Sequence, residues 1–277
     1  MDKYELVPQQ LLHEGTVTKE NFFHPSQLSE EEILLTHTKG YYNRLHALPL
    51  GRKEERAIGF PIRSDLIERG KYIARGTLEC AYHAMESGVS LNVAGGTHHA
   101  FADRGEGFCI FNDFAIASNL LLAKGDVGKI LIVDLDVHQG NGTAKIFEKE
   151  DRVFTFSMHG AKNYPVRKEV SDLDIGLPDG CEDGLFLKTL EDTLPKLIDK
   201  VKPSLIFYLS GVDVLAVDKL GRLGMTLAGC KQRDEILFAQ ANKKGIPVAV
   251  SMGGGYAEKI SDIIEAHSNT FRVAFDI

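Results

Sequence analysis

The chain has 277 residues, 43% of them hydrophobic and 26% charged, with a formal net charge of -7. These proportions are those of an ordinary globular protein and exclude a largely disordered chain, and the length suits one α/β domain with a core on both faces of a sheet. The negative charge opposes nucleic-acid phosphates as partners and slightly favours cationic ones, such as a basic protein tail or a polyamine.

In chain order, helical patterns are expected at 29–48 and 65–87, joined by a Gly/Pro-containing bend at 59–63. A strand at 90–94 follows, then a helix at 113–123. Short apolar runs at 129–138, 152–159, 204–211 and 246–252 are rich in Val, Ile, Leu and Phe and read as buried parallel strands. Helices at 183–200 and 226–244 alternate with them in βαβ fashion. No apolar run reaches the ~20 residues that span a bilayer, and residues 1–10 lack the basic-then-apolar order of a secretory leader. Cys80, Cys109, Cys181 and Cys230 show neither disulfide-framework nor thiolate-zinc spacing, so a reducing cytoplasm is expected.

In open α/β sheets ligands bind beyond the carboxyl ends of the strands. The run endings here carry His98-His99, Asp134-Leu135-Asp136-Val137-His138, Asp213 and Gly253-Gly254-Gly255-Tyr256. If 129–138 is one strand, Asp134, Asp136 and His138 share a face. Burying two carboxylates and an imidazole there is costly unless a cation or hydrogen-bond partners offset the desolvation. Asp and His are ordinary zinc ligands, and Asp213 could complete a set of three that leaves a position for water; a buried polar network is the alternative. His98 and His99 can divide proton transfer, with Asp134 and Asn141 as candidate partners that fix their tautomers. Tyr256 could donate to a developing oxyanion, an interaction worth ~3 kcal/mol. The three glycines before it lack the lysine and hydroxyl of a phosphate loop.

Taken in order, GGTHHAFADRGEGFCIFND (95–113), DLDVHQGNGT (134–143), SGVDVLAVDKLG (210–221) and SMGGGY (251–256) resemble the zinc-dependent histone deacetylase superfamily, most closely its class IV branch. The resemblance spans nearly the whole chain and implies a single catalytic domain over 1–277 with an arginase-like fold, an open and mainly parallel sheet flanked by helices. It implies Asp136, His138 and Asp213 as zinc ligands, with ferrous iron as the alternative metal; His98, His99 and Tyr256 as catalytic groups; and a potassium ion near Asp134, Asp136, His138, Ser157 and the Met158 carbonyl. Gly107, Phe108 and Tyr164 are implied as the substrate channel. Acylated lysine, a peptide or a polyamine would be the substrate, in the cytoplasm, or the nucleus of a eukaryote.

Two departures from the family pattern follow. Many relatives have Asp where this chain has Asn141, which lowers the expected basicity of His99, and the first residues align beyond an initial strand, so the N-terminal edge is expected to be missing. Two other functions stay open: an arginase-like dinuclear ureohydrolase, opposed by Gln139 and Asn141 where further ligands would stand, and a non-catalytic acyl-lysine binding module on the same scaffold.

Overall fold

The computed structural model describes residues 2–276, so Met1 and Ile277, the two ends of the expected domain, lie outside the described residues. Six strands form one all-parallel sheet: β1 (Val89–Asn92), β2 (Ile130–Asp134), β3 (Val153–Gly160), β4 (Leu173–Leu177), β5 (Leu205–Leu209) and β6 (Val248–Ser251), in the order β1-β6-β5-β2-β3-β4. The helices are α1 (Lys3–His13), α2 (Glu30–Leu34), α3 (Lys39–His46), α4 (Arg52–Ile58), α5 (Ser64–Ser87), α6 (Asp113–Lys124), α7 (Asn141–Phe147), α8 (Asp183–Val201), α9 (Leu227–Lys243) and α10 (Ile260–Phe275). No helix among the described residues is long and apolar enough to cross a membrane.

Alternation along the central strands divides the core in two. Ile130, Ile132, Leu205, Phe207 and Leu209 pack with α5 and α6, while Leu131, Val133, Ile206 and Tyr208 pack with α8, α9 and α10. Helix α5 meets the sheet through Ile67, Ala74, Leu78, Ala81 and Ala84, an apolar stripe at helical spacing. Helix α6 begins where the Asn112 side chain accepts the Ala115 N–H at 3.0 Å and ends at Gly125, whose φ of 76° suits the left-handed cap.

Several boundaries differ from the sequence reading. The stretch 29–48 is two helices, because Thr38 caps α3 by accepting the Tyr41 N–H and its own N–H bonds to Ala102 instead of continuing α2. Strand β4 was not expected: it contains Gly176, lies at the sheet edge and is buried only in part, so it lacks the apolar run that marks central strands. Helices α1, α4, α7 and α10 were likewise not foreseen.

The strand expected at 129–138 stops at Asp134. Asp134 Oδ1 accepts the Asp136 N–H at 3.1 Å, and Asp136 Oδ1 accepts the His138 N–H at 3.0 Å. These successive side-chain turns take the chain out of the sheet. Asp136 and His138 therefore meet through turns, and the strand-face argument for them does not hold.

Candidate metal centre and its channel

Because all six strands are parallel, their carboxyl ends share one edge, and the loops leaving β1, β2, β5 and β6 meet there. Asp136, His138 and Asp213 each offer a donor atom, and the three atoms lie within 4.8 Å of one another. His138 Nδ1 is 3.1 Å from Asp136 Oδ1 and 3.3 Å from Asp213 Oδ2. Burial disfavours the imidazolium, but the two carboxylates outweigh it and hold the His138 pKa up at about 10. Burial, with Asp136 adding to it, pushes Asp213 up to about 6. Asp213 Oδ2 is buried and makes no hydrogen bond. Such an oxygen costs about 1–3 kcal/mol or more, so a cluster of two carboxylate oxygens and one imidazole nitrogen that leaves it unsatisfied fits a divalent ion in donor chemistry and in charge.

Two arrangements brace the cluster. The Gly254 N–H donates to Asp136 Oδ2 at 2.9 Å, and any Cβ at that position would collide with the Asp213 carboxylate, so only glycine allows the β6 loop this close. Buried Arg233 on α9 donates from Nη1 to the carbonyls of Gly211 and Leu135 at 2.6 and 3.4 Å, tying together the two loops that carry Asp213 and Asp136.

The histidines stand beside this cluster with their ring centroids 4.1 Å apart. His98 Nδ1 donates to Asp134 Oδ2 at 2.7 Å, and its Nε2 is 3.9 Å from Asp136 Oδ1. Burial opposes its charge, but Asp134 and then Asp136 raise its pKa to about 9. His99 Nδ1 faces Asn141 Oδ1 at 2.6 Å; burial, reinforced by the charge on His98, holds its pKa well below the ordinary value. The expected drop in basicity thus has burial as its first cause, with Asn141 withholding the charge that Asp134 gives His98.

The loop bearing the pair is fixed from α6. Asp113 accepts the N–H groups of Gly96 and Thr97, and Asn112 Nδ2 donates to the Ala100 carbonyl at 3.1 Å.

Tyr256 is anchored by its backbone N–H, which donates to Asp218 Oδ2 at 2.6 Å. Burial and the nearby Asp213 and Asp136 carboxylates raise its pKa, keeping the phenol protonated. Phe108 lies 6.1 Å from it, ring centroid to ring centroid, and stacks on Phe60 at 6.3 Å; the Tyr164 ring meets His99 edge-on at 5.0 Å. Gly107 and Phe108 have φ of 52° and 67° and form a tight turn closed by the reciprocal hydrogen bonds of Glu106 and Cys109. A Cβ on Gly107 would strike the His99 ring. Tyr256, Phe108, Phe60, Gly107, Tyr164 and His99 line one cavity of about 900 Å³.

Of the expected potassium positions, Asp134 and Ser157 face each other in register across β2 and β3, Met158 is fully buried, and the Ser157 hydroxyl contacts His159 Nδ1 at 2.9 Å. The four cysteines are free and buried.

Three further groups were not anticipated. Lys3 Nζ donates to the Gly253 carbonyl at 2.8 Å and lies 5.8 Å from the Tyr256 ring centroid; burial lowers its pKa to about 8. Arg233 is the brace between the loops that carry Asp136 and Asp213, and Glu106 sits behind Asn141. A lone lysine or arginine in a helical pattern gives no sequence signal, and nothing in the spacing around Glu106 singles it out.

A family model described as "Histone deacetylase domain" matches residues 1–271. An uncharacterised protein of the cyanobacterium Picosynechococcus is 42% identical over 277 residues, 100% of this chain and 92% of its own length. Histone deacetylase 2 of Arabidopsis thaliana is 29% identical, covering 95% of this chain and 71% of its own. The acetoin utilization protein AcuC of Staphylococcus aureus is 30% identical, covering 81% and 63%. Among solved structures, an HDAC homolog complexed with SAHA superposes with a TM-score of 0.82 at 24% identity, over 98% of this chain and 76% of that one, a likeness of fold.

Proposed function

The chain belongs to the histone deacetylase family, and from that premise we propose that it is a metal-dependent deacylase of acylated lysine or a related amine, with Asp136, His138 and Asp213 holding one divalent ion, zinc or ferrous iron. The observation that carries this reading is the buried convergence of an imidazole and two carboxylates within 4.8 Å, with Asp213 Oδ2 making no hydrogen bond although His138 Nδ1 stands 3.3 Å away. When bound, the ion would supply Lewis acidity toward the amide carbonyl and the attacking water.

The chain's own groups then divide the proton work. The Asp134 carboxylate favours a cationic His98, whereas the neutral Asn141 amide accepts from His99 Nδ1 and leaves the Nε2 lone pair free. His99 Nε2 takes a proton from water as the water oxygen bonds to the carbonyl carbon. The Tyr256 hydroxyl donates to the oxyanion, and His98 adds positive charge. His99 then returns the proton to nitrogen as the C–N bond breaks, giving a carboxylic acid and a free amine.

Phe108 and Tyr164, with Gly107 packed against the His99 ring, form the walls that hold the extended acyl-lysine stem. The cavity's volume of about 900 Å³ lies within the range of small-molecule sites. The related HDAC homolog is complexed with SAHA, which supports an acyl-lysine-like occupant here. A class IV relationship, a structural potassium ion bedded by Asp134, Asp136, His138, Ser157 and Met158, and cytoplasmic localisation belong to the same proposal.

The ureohydrolase reading is disfavoured because the described residues hold a single three-donor group and the Gln139 amide is engaged with the Glu169 carbonyl and Asp174. A Tyr256→Phe variant tests the deacylase reading on a panel of acetyl-lysine, long-acyl-lysine and acyl-polyamine substrates. Its kcat is expected to fall about a hundredfold with metal content unchanged; normal turnover by this variant would remove the phenol from the mechanism.

A further inference from the structure

We propose that Glu106 is a positioning residue: it fixes which way the Asn141 amide faces and so decides which nitrogen of His99 is the free base. Asn141 Nδ2 donates to Glu106 Oε1 at 3.0 Å, and the Tyr164 hydroxyl donates to the same oxygen at 2.5 Å. An ionised carboxylate only accepts, so the amide must turn its NH2 toward Glu106 and its oxygen toward His99. His99 Nδ1, 2.6 Å from that oxygen, must then carry the proton, and Nε2 is left unprotonated. Without an acceptor-only group behind it, an asparagine could rotate by half a turn, offer its NH2 to His99 and stabilise the opposite tautomer.

Glu106 suits this task by its placement. Its backbone is held in the tight turn with Cys109 through hydrogen bonds of 3.1 and 2.9 Å, and its side chain is 18% exposed. Arg104 approaches the other carboxylate oxygen at 3.4 Å, which leaves Oε1 to Asn141 and Tyr164. The carboxylate missing from position 141 is thus present one hydrogen bond further out. Because Tyr164 shares it, the channel wall and the proton-transfer group are set by one side chain.

The kinetic consequence rests on the deacylase reading, but the tautomer does not, and the test separates the two. In metal-free protein, 15N NMR of labelled histidine should show His99 in the Nδ1–H form, its signal identified by loss in His99→Gln. Glu106→Ala, or Glu106→Met should the smaller side chain loosen the turn, should give a mixture of both tautomers. Retention of the wild-type tautomer in these variants would overturn the proposal, whether or not the protein turns over substrate.

In the metal-loaded enzyme, Glu106→Gln loses the charge and lets both amides face either way, while Asn141→Asp sets two carboxylates against each other; each should lower kcat about tenfold with KM within about threefold. Combining Glu106→Gln with Asn141→Asp exchanges the two groups: the amide NH2 now in the place of Oε1 donates to the carboxylate now at position 141, and the Tyr164 hydroxyl, which donated to that oxygen, accepts from the same NH2. The double variant should recover kcat to within about threefold of wild type, a coupling that independent roles do not produce. Simple additive losses would overturn the proposal.

Discussion

Replacing His37 with glutamine should flatten the acid side of the protein's stability profile. His37 is 1% exposed, packed edge-on against Phe111 with ring centroids 5.4 Å apart, and its Nε2 accepts the Asn112 N–H at 3.1 Å. Burial lowers its pKa from 6.5 to about 4. Between those values the unfolded chain binds a proton that the native protein refuses, so stability rises with pH across the window and is lost as pH falls through it. The displacement corresponds to about 3 kcal/mol between pH 7 and pH 4. Glutamine keeps an acceptor for Asn112 and does not titrate. Urea unfolding of both proteins at intervals from pH 7 to pH 4 should therefore show the wild-type advantage shrinking by about 3 kcal/mol. Other histidines cancel in the comparison. A difference independent of pH would refute the reasoning. Since Asn112 also holds the Ala100 carbonyl, the wild-type enzyme should lose activity over the same acid range before it unfolds globally.

Gly254→Ala drives a methyl group into the Asp213 carboxylate, and the purified variant should retain less than about a tenth of the wild-type metal by elemental analysis; full retention would mean the loop moves aside freely. The Arg272 hydrogen bonds lower the Glu14 pKa from 4.5 to about 2 and join α1 to α10. Their stabilisation is complete above about pH 4.5 and disappears as pH falls toward 2, so Glu14→Gln should cost about 1 kcal/mol at neutral pH, given partial solvent screening, and nothing at pH 2 in denaturant titrations. Phe108→Asn keeps a residue that tolerates the left-handed backbone but removes the stacked wall, and KM for acyl-lysine peptides should rise about tenfold while kcat changes less.

The open parallel sheet was legible because β2 and β5 lie in its middle and their both-face burial writes itself as continuous apolar runs. Edge strand β4 carries no such run. His98, His99, Asp136, His138, Asp213 and Tyr256 could be picked out because ionisable groups at the ends of apolar strands are expensive unless used. Their geometry was less legible: the side-chain turns of Asp134 and Asp136 broke the inferred strand, and the convergence survived for a different reason. Lys3, Glu106 and Arg233 act through carbonyls, a side-chain amide and a hydroxyl distant in sequence, and their types alone do not reveal those partners.

The most direct test of the central claim is a metal titration of chelated protein, followed by elemental analysis and by hydrolysis of an acyl-lysine peptide. One zinc or ferrous ion per chain should restore turnover, with Asp213→Ala neither retaining the ion nor regaining activity. Full turnover in metal-free protein, or a requirement for two ions per chain, would contradict the single-ion centre at Asp136, His138 and Asp213.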